Sequence, residues 1–219
     1  MIVAIDGPAG AGKSTVTRQL AERLGFEFLD TGAMYRTVTF AALQRGINMA
    51  DEQALTELAA SLSVVIDGER VLLDGKNVSE AIRDPEVTRN VVSIADAAPT
   101  RNLLVKLQRE IASRGDYVCE GRDQGTVAFP DAFCKIYLTA SEKHRAQRRV
   151  EQMEMAGKPI ALDQVIREQR IRDQQDQSRE VGRLQKAADA IEVNTDDKTV
   201  EEVVNELAEI VHRQIAASG

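Results

Sequence analysis

The sequence predicts an α/β fold, a five-stranded parallel doubly wound sheet, and three observations predict it. Five short apolar runs are separated by helical segments along the 219 residues. Each run stops at a polar or glycine-containing turn, where ligands collect in such sheets. The first run also passes through a glycine-rich loop directly into an amphipathic helix.

Taken in order, Met1-Ile-Val-Ala-Ile5 ends at Asp6 and suits a fully buried strand. Ser14 to Leu24 carries Val16, Leu20 and Leu24 on one helical face. Phe26-Glu-Phe-Leu29 ends at Asp30-Thr31-Gly32 and reads as the second strand. A helical segment at roughly 51–61 leads to Val64-Val-Ile66 and Val71-Leu-Leu73, separated by Asp67-Gly68 and followed by Asp74-Gly75. Asp-Gly between apolar runs is a hairpin signal, so 62–80 is expected to be a small antiparallel insert. A helix at about 99–114 precedes Tyr117-Val-Cys119, which stops at Glu120-Gly-Arg-Asp123. Lys135-Ile-Tyr-Leu138 ends at Thr139-Ala-Ser141, and Ala190-Ile-Glu-Val193 ends at Asn194-Thr-Asp196. The last helix, about 200–215, repeats Val200, Val203, Val204, Leu207, Ile210 and Val211 and reads as core packing.

Gly7-Pro8-Ala9-Gly10-Ala11-Gly12-Lys13-Ser14 satisfies the Walker A pattern between strand and helix. Successive backbone N–H groups of such a turn face a concavity at a helix N-terminus and attract phosphate. Lys13 is placed to reach the β- and γ-phosphates, the Ser14 hydroxyl to ligate Mg²⁺, and Thr15 to complete the nucleotide contacts. A chance match in a chain this long is on the order of a one-per-cent event.

The net charge of −7 speaks against nucleic acid as a partner. Residues 141–186 nonetheless hold 11 Lys/Arg against 8 Asp/Glu, and eight of the eleven are arginine. That bias fits forked recognition of phosphate better than a solvated helix face. Cys119 and Cys134 lie in apolar runs and are expected to be buried structural thiols. With no CxxC spacing and two histidines, a zinc site is not expected. No leader-like segment and no run of about 18 apolar residues occurs, so a cytoplasmic protein away from membranes is expected.

Four further segments narrow the chemistry, one of them the inserted hairpin region described above. Asp30-Thr-Gly-Ala-Met-Tyr-Arg36, the Gly121-Arg-Asp-Gln-Gly-Thr126 run and the arginines after residue 140 resemble the bacterial cytidylate (CMP) kinases, along essentially the whole chain. The resemblance implies a P-loop kinase sheet with an inserted monophosphate-binding subdomain, 30–104, and a helical lid, 141–183. It implies transfer of a phosphoryl group from ATP to CMP or dCMP with Mg²⁺, by a monomer. It also implies that Arg36 and Arg122 grip the CMP phosphate, that Thr31 and Tyr35 line the acceptor site, and that Arg172 and Asp176 contact the sugar. The same resemblance implies that Arg148, Arg149 and Arg179 belong to the lid over ATP. Gln124 departs from the family, which usually has an apolar residue there.

The residue types agree with that chemistry. An α-phosphate oxygen is already anionic, so phosphoryl transfer to it needs no general base. Two polyanions must instead be brought together and neutralised. Asp123 and Arg101 suit the cytosine edge, a carboxylate facing the N4 amino donor and a guanidinium facing the N3 and O2 acceptors. The competing expectation for Asp123 is a salt bridge that only orients Arg122. Other P-loop kinases acting on UMP, AMP, shikimate or gluconate, and a nucleotide-dependent switch protein, are the alternatives.

Overall fold

The computed structural model describes residues 1–68, 70–155 and 157–218. In chain order it begins with β1 (Ile2–Asp6), α1 (Lys13–Leu24), β2 (Glu27–Asp30), α2 (Thr31–Gln44) and α3 (Glu52–Ser61). Next come β3 (Val64–Asp67), β4 (Arg70–Leu73), β5 (Lys76–Asn77), a 3₁₀ turn (Ala81–Arg83), α4 (Pro85–Asp96) and α5 (Ala98–Ala112). β6 (Tyr117–Gly121), a π-helical turn (Gln124–Ala128), β7 (Cys134–Thr139), α6 (Glu142–Met155), α7 (Leu162–Ser178), β8 (Ile191–Asn194) and α8 (Val200–Ser218) complete it.

All five predicted strands form, in a sheet ordered β2-β6-β1-β7-β8. β1 pairs in parallel with β6 and with β7, and β7 in parallel with β8. The register sets Asp6 level with Gly121 on one side and Tyr137 on the other. The loops that follow these strands therefore emerge at one edge of the sheet, as a parallel arrangement requires.

The chain divides into two compact units, Met1–Phe26 with Tyr117–Gly219, and Glu27–Asp116. In the first, Val3, Ala4 and Ile5 of β1 are fully buried, which explains the continuous apolar run. α1 packs on β6 and α8, through residues such as Val16 and Leu20 of α1 and Val204, Leu207 and Val211 of α8, all buried. Val200 is half-exposed in the first turn of α8, so the predicted core stripe begins at Val203. Cys119 and Cys134 are buried free thiols. Burial pushes Cys134 up to about 11, and burial together with the nearby Asp6 pushes Cys119 higher still. Neither is a nucleophile at neutral pH.

In the second unit α2 packs on α4, and α3 on α5. The predicted hairpin is present, with Val64 opposite Leu73 and Asp67 opposite Arg70. It gains a third antiparallel strand, since Leu73 pairs with Lys76. Among the described residues no helix is long and apolar enough to cross a membrane.

Candidate active site

The first unit carries the phosphate loop. β1 delivers Asp6 into Gly7, whose φ is 154°. A Cβ at Gly7 would stand 2.3 Å from the Leu138 carbonyl oxygen, so the loop can leave the sheet here only without a side chain. Pro8, Ala9, Gly10, Ala11 and Gly12 make the turn, and α1 starts at Lys13 with Ser14 and Thr15 exposed in its first turn. Lys13 is buried, and its Nζ donates to the carbonyls of Gly7 and Pro8, each at 2.8 Å. Burial and the flanking Arg122 bring the lysine down to about 7, with Arg172 adding to the effect against Glu120 and Asp6. The Ser14 hydroxyl donates to Glu120 Oε1 at 2.6 Å.

Asp6 and Glu120 escaped the sequence reading as site residues because each looks like the polar end of a strand. Both are buried. Asp6 accepts the N–H groups of Gln124 and Gly125, both at 2.8 Å. Burial nonetheless raises it to about 6, with Asp123 adding to the rise. The signal available was a carboxylate at the inner end of an all-apolar strand, a position that demands partners. Here the partners are the first amides of the 124–128 turn. In that turn Ala128 N–H reaches Asp123 and Phe129 N–H reaches Gln124, five residues back. Such π-turns recur at functional sites. Asp123 and Gln124 are both buried.

Beside this turn, three predicted residues meet. Arg122 Nε donates to Asp176 Oδ2 at 2.8 Å, and Arg179 Nη2 pairs with Asp176 Oδ1 at 3.0 Å. Burial alone would raise Asp176, but Arg122, Arg179 and Arg172 outweigh it and hold the carboxyl below its ordinary 3.8. Burial likewise opposes the charge on Arg122, and Asp176 overcomes it with help from Glu120 and Asp173. Asp176 is thus the hub of an arginine cluster whose charge also reaches Lys13.

On α6, Arg148 Nη1 donates to Thr195 Oγ1 at 2.9 Å and Nη2 to the Thr195 carbonyl at 2.5 Å. Thr195 Oγ1 in turn donates to the Ala11 carbonyl of the loop at 3.3 Å. Arg149 is exposed on the same helix. Arg145 was absent from the sequence reading, yet it is buried and donates to the Ala9 carbonyl.

The remaining predicted residues belong to the second unit. Asp30 accepts the Ala33 N–H at 2.7 Å as cap of α2, and its other oxygen accepts from Arg36 Nη2 at 2.9 Å. Thr31 is the first residue of α2, and Tyr35 lies buried one turn on. Arg101 of α5 is buried, donates to the Ala95 carbonyl at 3.5 Å and lies over the Tyr35 ring, 5.7 Å from its centroid. Arg36, Tyr35 and Arg101 are therefore held by one bundle of helices.

A family model described as cytidylate kinase matches residues 3–213. The chain is 46% identical over 218 residues to a cytidylate kinase of Rhodopirellula baltica, covering 100% of this chain and 95% of that one. It is 44% identical over 211 residues to a cytidylate kinase of Caldanaerobacter subterraneus subsp. tengcongensis, covering 96% of this chain and 94% of that one. Among solved structures, an uncharacterized protein from Eubacterium ventriosum matches with a TM-score of 0.53 at 12% identity. It covers 97% of this chain and 98% of that one, and the likeness concerns the fold.

Proposed function

The chain belongs to the cytidylate kinase family, and we propose that its residues divide the reaction between a donor loop and an acceptor set. The family's reaction, phosphorylation of CMP by ATP, is this chain's reaction, and dCMP is a second acceptor. The observation that carries the reading is the second cationic cluster, Arg122–Asp176–Arg179, beside a phosphate loop that already holds Lys13. A protein that only binds or slowly hydrolyses one nucleotide has no use for a second clamp.

Gly7 to Thr15 hold the triphosphate of ATP, with Arg148 and Arg149 on the donor side. Arg36 and Arg122 grip the CMP phosphate, Thr31 and Tyr35 line its site, and Arg172 and Asp176 meet its sugar. Asp123 and Arg101 read the cytosine edge. Residues 30–104 act as the monophosphate-binding subdomain and 141–183 as the lid.

The CMP oxygen that attacks the γ-phosphorus is already an anion, and the bond to the β–γ bridging oxygen breaks as the new P–O bond forms. Lys13, released from the Gly7 and Pro8 carbonyls, follows the charge on the moving phosphoryl group, with Arg122 and Arg179 opposite it. The Ser14 hydroxyl at 2.6 Å from the buried Glu120 carboxylate gives a set of hard oxygen donors of the kind Mg²⁺ prefers, with Ser14 as the protein ligand. Held by Ser14, Mg²⁺ would offset negative charge on the donor phosphates. A monomeric, cytoplasmic enzyme with no nucleic-acid partner completes the proposal.

The test is a panel of CMP, dCMP, UMP, AMP and GMP with Mg·ATP, following diphosphate formation. CMP and dCMP are expected to dominate. A preference for UMP or AMP, or ADP release indifferent to any monophosphate, would overturn the reading.

A further inference from the structure

One buried cation beside the phosphate loop has no task in the reaction as proposed. Arg145 Nη1 donates to the Ala9 carbonyl at 2.9 Å, and its Nη2 pairs with Asp173 Oδ2 of α7 at 2.7 Å. Its side chain is 8% exposed and that of Asp173 16%. Gly10 lies against the same group, where a Cβ would stand 3.1 Å from Arg145 Cβ and 3.1 Å from Gln169 Nε2. The loop, α6 and α7 thus meet at one charged cluster.

Stability is a poor reason for that cluster. Desolvating an ion pair costs about as much as the pair returns, and apolar residues of similar shape often do as well. Arg145 Nε, Asp173 Oδ1 and Gln169 Oε1 are buried without a hydrogen-bond partner among the described residues, which makes the cluster costlier. Its geometry has a direct consequence for the loop. A trans peptide holds its C=O and N–H antiparallel. With the Ala9 oxygen held by Arg145, the Gly10 N–H must point the other way, off the guanidinium. Phosphate-binding loops work by aiming such N–H groups at the anion. A cation on the carbonyl also polarises the amide and makes its N–H a stronger donor. Asp173 fixes the plane of the guanidinium through a charged bond.

We propose that Arg145, oriented by Asp173, is a positioning residue that presets the Ala9–Gly10 peptide for the phosphates of the donor. This rests on the reading that the loop holds ATP. The test measures equilibrium binding of Mg·ATP and, separately, of CMP to the wild type, Arg145→Met, Arg145→Lys and Asp173→Asn, with melting curves for each. Arg145→Met is expected to weaken Mg·ATP at least tenfold while CMP binding stays within twofold. Asp173→Asn should reproduce most of that loss, and the double variant should fall short of the product of the two. Arg145→Lys should lie between, because one ammonium on a flexible stem replaces the fork poorly.

A loss of ATP affinity under fivefold in folded Arg145→Met, or an equal loss of CMP binding, overturns the proposal and leaves the pair a matter of packing. Should Arg145→Met not fold, Arg145→Lys and Asp173→Asn decide, a loss of at least threefold confined to ATP supporting it and anything less overturning it. A wild type that binds Mg·ATP but no CMP would overturn the proposed function, while the ATP measurements still judge Arg145.

Discussion

Binding of ATP should draw a proton onto Lys13. In the unliganded protein burial and the neighbouring Arg122 bring this amine from its ordinary 10.5 down to about 7. The neutral amine is therefore favoured above about pH 7 and the ammonium below it. A triphosphate against Nζ supplies the countercharge that Glu120 and Asp6 provide only in part, and restores the ammonium. Uptake on binding should be a sizeable fraction of a proton at pH 8 and should shrink as pH falls through about 7. The sign follows from linkage. The bound state holds more protons than the free one above pH 7, so ATP affinity falls as pH rises from there. The terminal phosphate ionises near 6, so at pH 8 it adds little of its own. Calorimetry at pH 8 in two buffers of different ionisation enthalpy reads the uptake directly, and Lys13→Met should abolish it. Uptake below about 0.2 proton in the wild type, or the same uptake in Lys13→Met, would refute the argument.

Three further outcomes are expected. Asp176→Ala removes the carboxylate shared by Arg122 and Arg179, and should cost about 3 kcal/mol in urea unfolding. Because Asp176 is held below its ordinary 3.8, its contribution is complete above that value and fades as pH falls through the lower folded value, so the acid limb of the stability profile should flatten in the variant. Asp123→Asn should lower the CMP/UMP ratio of kcat/KM, since an amide can turn its NH₂ towards uracil O4. A large fall in both substrates at an unchanged ratio would mean that Asp123 reads no base. Gly7→Ala must push against the Leu138 carbonyl from a backbone at φ 154°. It should lower stability by about 1–3 kcal/mol or more, and a melting temperature equal to the wild type would contradict the close approach.

What the sequence made legible was periodic or punctuated. The five strands showed themselves as apolar runs with polar stops, and the 62–80 insert through its two Asp-Gly pairs. β5, at two residues, is too short to carry a pattern. α4 went unread although Asp84-Pro85 is a helix start, with Asp84 accepting the Glu86 N–H at 2.8 Å. α2 was masked because it is buried on several sides and follows β2 without a linker. At the site, the loop and the paired arginines were legible because glycine and arginine have few cheap alternatives there. Arg145 was not, since on a helix holding Arg148 and Arg149 nothing but burial sets it apart. Asp6 and Glu120 were hidden by the same logic, because a carboxylate at a strand end means one thing in solvent and another under a closed layer of side chains.

The central place of β1 also bears on how the chain comes to be folded. Ala4 pairs with Cys119 on one side and Lys135 on the other, so the sheet's middle strand is synthesised long before either neighbour exists. Until residue 139 has left the ribosome, Ile2 to Ile5 form an apolar edge with nothing to close it, the kind of segment that recruits foreign strands or a chaperone. Such distant pairings raise the contact order and slow the search. Variants that spare the native state but lengthen this interval, for instance by delaying the 117–139 segment during translation, should show themselves as lower soluble yield with an unchanged melting temperature.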